Sequence, residues 1–178
     1  MRRVAVVGNS GAGKSTLAAG LARRLGVPWL ELDGVYHQPG WTPLPVDELR
    51  ARVDAFTRQP GWVVDGNYSV VRELVWSRAD TVVWLDLPKR VVMWRVVRRT
   101  LGRLVRRTEL WNGNRESWRS LVTTDPQRSI IAWSWQRHAV YRARFEAASR
   151  DPAWGRLTFV RLRSRRDVER FAASSAPG

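Results

Sequence analysis

The stretch Gly8-Asn9-Ser10-Gly11-Ala12-Gly13-Lys14-Ser15-Thr16 decides how the rest of the chain is read. It follows residues 2–7, a β-branched run that reads as a buried strand. It opens residues 14–25, where Leu17, Leu21 and Leu25 recur at helical spacing. Strand, glycine-rich turn and helix are the setting in which G-x-x-x-x-G-K-[ST] cradles phosphate. Glycines let the backbone wrap an anion with its N–H groups turned inward, and the helix N-terminus adds a favourable dipole. Residues 8–16 are therefore expected to hold the phosphates of a nucleoside triphosphate. Lys14 would reach the β- and γ-phosphates, and the Ser15 hydroxyl would ligate Mg²⁺. Lys14 and Lys89 are the only lysines among 31 basic residues. A compact point charge thus stands in the turn of a chain that otherwise uses arginine.

Outward from the turn, short apolar runs alternate with longer amphipathic stretches. Strands are predicted at residues 28–33, 61–65, 81–86 and 157–162. Helices are predicted at 46–58, 69–76, from Pro88 to about 107, at 115–123, 127–149 and 166–173. Gly34, Pro39, Gly40, Pro43 and Pro45 mark a loop, and Asn112-Gly113-Asn114 a polar break. Apolar strands separated by helices predict an α/β fold, a parallel sheet covered on both faces. At 178 residues the chain reads as one domain over 1–173 with a flexible tail at 174–178.

Cysteine is absent, which excludes disulfides, thiol nucleophiles and thiolate metal sites and fits a reducing cytoplasm. The first apolar run, Val4-Ala5-Val6-Val7, is too short for a signal peptide or a membrane span. Charge is uneven. Residues 1–86 carry 10 Lys/Arg against 9 Asp/Glu, and residues 87–178 carry 21 against 7. Such a basic half predicts an anionic partner, either phosphates or nucleic acid.

A phosphate loop alone leaves GTPase, motor ATPase and kinase open. The Asn-Lys-x-Asp guanine motif is missing, which sets a regulatory GTPase aside. Asp33 and Asp65 are read at the C-terminal ends of the second and third strands, where open α/β sheets bind ligands. Asp65 follows Trp62-Val63-Val64, a short run of Walker B type that could hold Mg²⁺, and Asp86 after the fourth strand is a rival on pattern alone.

These pieces together resemble the nucleoside monophosphate kinase group. The likeness rests on the loop at 8–16, Leu32-Asp33-Gly34, Val64-Asp65-Gly66-Asn67-Tyr68, Arg72, and the strand at 81–86 with Leu87-Pro88. Trp94-Arg95-Val96-Val97-Arg98-Arg99, Gly113-Asn114-Arg115-Glu116 and Arg161-Leu162-Arg163-Ser164 extend it over nearly the whole chain. Small adenylate-kinase-like members, often labelled DNA topology modulation proteins, are the most similar. The resemblance implies a five-stranded parallel sheet of order 2-3-1-4-5, which favours Asp65 over Asp86 for Mg²⁺. It also implies a mobile acceptor region and an Arg-bearing lid over about 99–124. Arg72 would match the acceptor-phosphate arginine. The Phe-Pro-Arg that follows Asp-Gly in adenylate kinases proper is absent here, which argues against AMP as acceptor.

From Lys89 to Arg107 there are eight cations and no acid. Arg95, Arg99, Arg103 and Arg106 share one helix face. Phosphoryl transfer needs such cations around the γ-phosphoryl oxygens, so Arg95, Arg99 and Arg115 are the expected phosphate contacts. The acceptor would sit by Asp33, Tyr36, Asp65 and Arg72, with Asp33 accepting a hydroxyl proton or orienting the acceptor. The leading expectation is phosphoryl transfer from Mg·ATP to a nucleoside monophosphate or hydroxylated metabolite. The alternative is an ATP-dependent nucleic-acid-binding protein, with Trp94, Trp111, Trp118, Trp133 and Trp135 stacking on bases.

Overall fold

The computed structural model describes residues 1–116 and 129–174. Five strands, β1 (Arg3–Gly8), β2 (Trp29–Glu31), β3 (Trp62–Asp65), β4 (Thr81–Leu85) and β5 (Thr158–Leu162), form one parallel sheet of order β2-β3-β1-β4-β5. The three inner strands are buried on both faces, which is why they read as continuous apolar runs.

The pleat of β1 divides the core. Val4 and Val6 face one way and pack with Leu17, Ala18, Leu21 and Ala22 of α1 (Lys14–Leu25) and with Val92 and Val96 of α5 (Lys89–Arg106). Ala5 and Val7 face the other way, toward α3 (Val46–Thr57), α4 (Ser69–Arg78) and Phe145 of α6 (Ile130–Ala148). A short α2 (Leu32–Tyr36) follows β2, and α7 (Arg165–Ser174) closes against the α1 side. Helix α1 runs between two glycines in the left-handed region, Gly13 at φ 98° and Gly26 at φ 63°.

Several boundaries differ from the sequence reading. The second strand stops at Glu31, and Asp33 lies within α2 rather than at the strand's end. Pro88 caps α5 from outside, and the long late helix starts at Ile130 rather than 127. Arg115 is not helical: it pairs with Glu109 in an isolated antiparallel bridge. Glu116 is not helical either, and residues 117–123 of the expected helix lie outside the described residues. The last part of the expected lid, residues 117–124 with Trp118, lies there too, as does the tail beyond Ser174, which itself ends α7. Among the described residues no helix is long and apolar enough to cross a membrane.

Tryptophan serves packing more than display. Trp62, Trp76 and Trp84 are buried in the sheet core, Trp133 meets Tyr141 edge-on, and Trp94 and Trp135 are exposed.

Candidate active site

The C-terminal ends of β1, β2 and β3 open onto one crevice, and the glycine-rich turn forms its floor. Gly11, at φ 80°, brings the turn against α5: a Cβ there would lie 2.9 Å from the Val92 carbonyl oxygen and would overlap Val96 Cγ2. Asn67, just past β3, holds the start of the turn from both sides. Its Oδ1 accepts from Gly8 N at 3.1 Å, and its Nδ2 donates to Gly8 O at 2.5 Å. Asn9 Nδ2 donates to Ser134 O and Oγ on α6 at 2.8 and 3.0 Å, and Asn9 Oδ1 accepts from Ser10 N. The turn is therefore shaped before any ligand arrives.

Three cations reach it. Lys14 Nζ lies 3.3 Å from Asn9 O, Arg95 Nη1 3.2 Å from Ala12 O, and Arg99 Nη2 3.1 Å from Ser10 Oγ. The i, i+4 spacing on α5 delivers the two arginines together, since the buried Val92 and Val96 press that helix against the turn. Arg103, one turn further, is spent on Glu116 at 2.9 Å. Arg115 does not join them: its side chain is 58% exposed and pairs with Glu109 at 3.5 Å. Thr16 is exposed, on α1.

Acids line the opposite wall. Asp65, the last residue of β3, is 2% exposed. Burial pushes its carboxyl up to about 7, against the pull of the Lys14 ammonium and the Ser15 hydroxyl, while Glu31 and Asp33 push it further up. Its Oδ2 is buried with no hydrogen-bond partner among the described residues, and so is Arg99 Nε. Asp86 is not free for the same task. Arg161 Nε and Nη2 take its Oδ2 at 2.9 and 2.7 Å, with Arg142 at 3.5 Å.

The sequence reading missed Glu31. Ser15 Oγ donates to its Oε1 at 2.7 Å, and Trp111 Nε1 donates to its Oε2 at 2.6 Å. Its one legible signal was an acid in the predicted strand two residues before Asp33, and only the structure shows that Glu31 ends that strand. Asn67, Trp111 and Ser134 were missed as well, because their roles depend on contacts across 59 to 125 residues.

Asp33 Oδ1 accepts from Tyr68 OH at 2.7 Å, and Tyr36 lies against the Tyr68 ring at 4.7 Å. Arg72, half-buried on α4, sits over Trp76 at 5.8 Å and lines a small cavity with Leu32, Asn67 and Tyr68. Its Nη2 has no partner among the described residues, and burial lowers its affinity for a proton, with Arg144 adding to the effect.

Mg²⁺ usually takes one or two carboxylates and then phosphate and water oxygens rather than an all-protein cage. No cluster of three or more metal-ligating side chains occurs among the described residues. The Ser15 hydroxyl beside an orphaned, buried Asp65 oxygen fits such an ion.

No family model and no curated protein matches the sequence. Solved structures do match in fold. Shikimate kinase from Acinetobacter baumannii, in complex with shikimate, aligns at TM-score 0.55 and 18% identity over 98% of this chain and 90% of that one. Shikimate kinase from Bacteroides thetaiotaomicron aligns at 0.53 and 16% over 97% and 95%. A gluconokinase from Sinorhizobium meliloti 1021 aligns at 0.51 and 16% over 98% and 89%. With the strand order and the glycine-rich turn, these likenesses show that the chain has the P-loop kinase fold.

Proposed function

We propose that the chain is a small-molecule kinase that moves the γ-phosphoryl group of Mg·ATP to a hydroxyl-bearing acceptor. The observation that carries this reading is that two buried atoms at the phosphate turn, Arg99 Nε and Asp65 Oδ2, have no partner among the described residues. A nucleotide's phosphates and their counter-ion would satisfy both.

In this reading the turn's N–H groups and Lys14 hold the β- and γ-phosphates, and Arg95 and Arg99 neutralise charge on the transferring group. Ser15 and Asp65 would hold Mg²⁺, which supplies charge neutralisation between the β- and γ-oxygens. Asp33, oriented by the Tyr68 hydroxyl, accepts the acceptor's hydroxyl proton as the oxygen attacks. Arg72 lines a small cavity beside Tyr68, the partner of Asp33, and its Nη2 has no partner among the described residues, so an acceptor bearing a negative group is favoured. The names of the structural neighbours, shikimate kinase and gluconokinase, point to the same hydroxyl chemistry. A nucleoside monophosphate acceptor, the adenylate-kinase-like form of the reading, fits less well.

The test is ADP release by purified protein across a panel of hydroxylated acids, polyols and nucleoside monophosphates, beside Lys14→Ala. Stimulation by a hydroxylated acid, abolished in the variant, is expected. Stimulation confined to nucleoside monophosphates would overturn the acceptor assignment.

A further inference from the structure

Each oxygen of the Glu31 carboxylate is held by a different part of the chain. Oε1 accepts from Ser15 in the first turn of α1, and Oε2 accepts from the indole N–H of Trp111, 80 residues away in a 3-10 turn beyond α5. Hydrogen bonds to an ionised carboxylate are among the stronger ones in proteins, and two on opposite oxygens fix the group's orientation.

The indole is itself fixed from the acceptor side. A Cβ at Gly34 would lie 2.8 Å from Trp111 Cδ1, so the glycine in α2 is required by the ring rather than by its backbone. The His37 ring stacks on the indole at 5.9 Å and 23°. Asn112 Nδ2 donates to Gly34 O at 3.2 Å and His37 O at 2.6 Å. Asn114 Nδ2 donates to Gln38 O at 2.9 Å, and Asn114 Oδ1 accepts from Trp41 N at 2.8 Å. The turn at residues 111–114 and the segment at 33–41 are thus one hydrogen-bonded body, and Trp111 is its link to Glu31.

Taking the phosphotransfer reading as its premise, we infer that Trp111 is a positioning residue: by pinning Glu31, it directs the Ser15 hydroxyl toward the metal-bearing nucleotide. Glu31 draws the Ser15 proton to its own side, which leaves the oxygen's lone pairs for a cation and makes that oxygen a better donor. Without the indole N–H, Oε2 is released, the carboxylate can rotate, and Ser15 loses its fixed direction.

The experiment is calorimetric binding of ATP to the full-length protein, with Mg²⁺ and with chelator, for wild type, Trp111→Phe, Glu31→Gln and the double variant. Phe keeps an aromatic ring beside His37 and removes the donor, together with the pyrrole atoms that meet Gly34. Trp111→Phe is expected to weaken ATP binding in Mg²⁺ by about tenfold and in chelator by less than about twofold. In the Glu31→Gln background the same substitution should add less than about twofold, because the path it acts through is already altered.

Asn112→Ala keeps the indole but cuts the turn's bonds to Gly34 and His37. It gives an independent reading, with a smaller loss again confined to Mg²⁺. Unchanged Mg·ATP affinity in Trp111→Phe would overturn the inference. So would an equal loss with and without Mg²⁺, or full additivity with Glu31→Gln, either of which would make Trp111 packing alone. No ATP binding by the wild type in either condition would instead refute the phosphotransfer reading, and this inference with it.

Discussion

Replacing Asp65 with Asn should make the ligand-free protein more stable at alkaline pH while removing its response to Mg²⁺. Asp65 is 2% exposed, and its carboxyl is pushed from an ordinary 3.8 up to about 7, chiefly by burial. Its proton is therefore held more tightly in the folded than in the unfolded chain. The stabilisation this brings is complete below about pH 3.8 and is lost as pH rises through about 7. A separation of about 3 pH units corresponds to about 4 kcal/mol, of which about 3 kcal/mol is lost between pH 5 and pH 8.5. Asn cannot ionise and escapes that loss.

For a chain of this length each kcal/mol moves the melting temperature by roughly 2–4 °C. The gap between Asp65→Asn and wild type should then widen by about 6–12 °C from pH 5 to pH 8.5. Scanning calorimetry at both pH values, without nucleotide or divalent ions, reads it directly. ATP binding by the same variant should no longer tighten with Mg²⁺. A gap that stays constant between the two pH values, or a variant less stable than wild type at pH 8.5, would refute the placement of a buried carboxyl at the end of β3.

Four further substitutions separate the parts of the site. Gly11→Ala drives a Cβ into Val92 O and Val96, so it should cost about 1–3 kcal/mol in denaturant melts and raise the KM for ATP. Arg95→Ala and Arg99→Ala each remove a cation from the phosphate turn and should lower kcat about 100-fold, with a smaller change in ATP affinity, read by steady-state ADP release. Arg161→Ala leaves the buried Asp86 with the longer contact to Arg142 as its one ion pair among the described residues and should cost about 2 kcal/mol of stability. It should leave ATP affinity unchanged by calorimetry, and adding Asp86→Asn should restore part of the loss.

The fold was legible because its signals are local. The turn at residues 8–16, the apolar inner strands and the helical spacing of α1 and α5 all act within a few residues. The helix periodicity alone put Arg95, Arg99, Arg103 and Arg106 on one face and did not single out the two that reach the turn. The strand order was not in the periodicity, and it came from the resemblance to the kinase group. What escaped the reading depends on contacts distant in sequence. Glu31 looks like any acid in a strand until Trp111 meets it, and Asp86 rivals Asp65 until Arg161 neutralises it. Arg115 shares a motif with Glu116, yet an exposed pairing with Glu109 holds it away from the turn. Asp33 moved from strand to helix because β2 pairs with β3 for three residues only, its last pair being Glu31 with Asp65.

The central claim is that the crevice above β1 and β3 transfers a phosphoryl group to a hydroxyl rather than to water. Phosphorus NMR of the protein turning over Mg·ATP with its stimulating hydroxylated acid tests this directly. The account predicts a phosphate monoester resonance growing in step with ADP, absent in Lys14→Ala. Inorganic phosphate as the sole second product, at the same rate with and without acceptor, would contradict it and make the chain an ATPase.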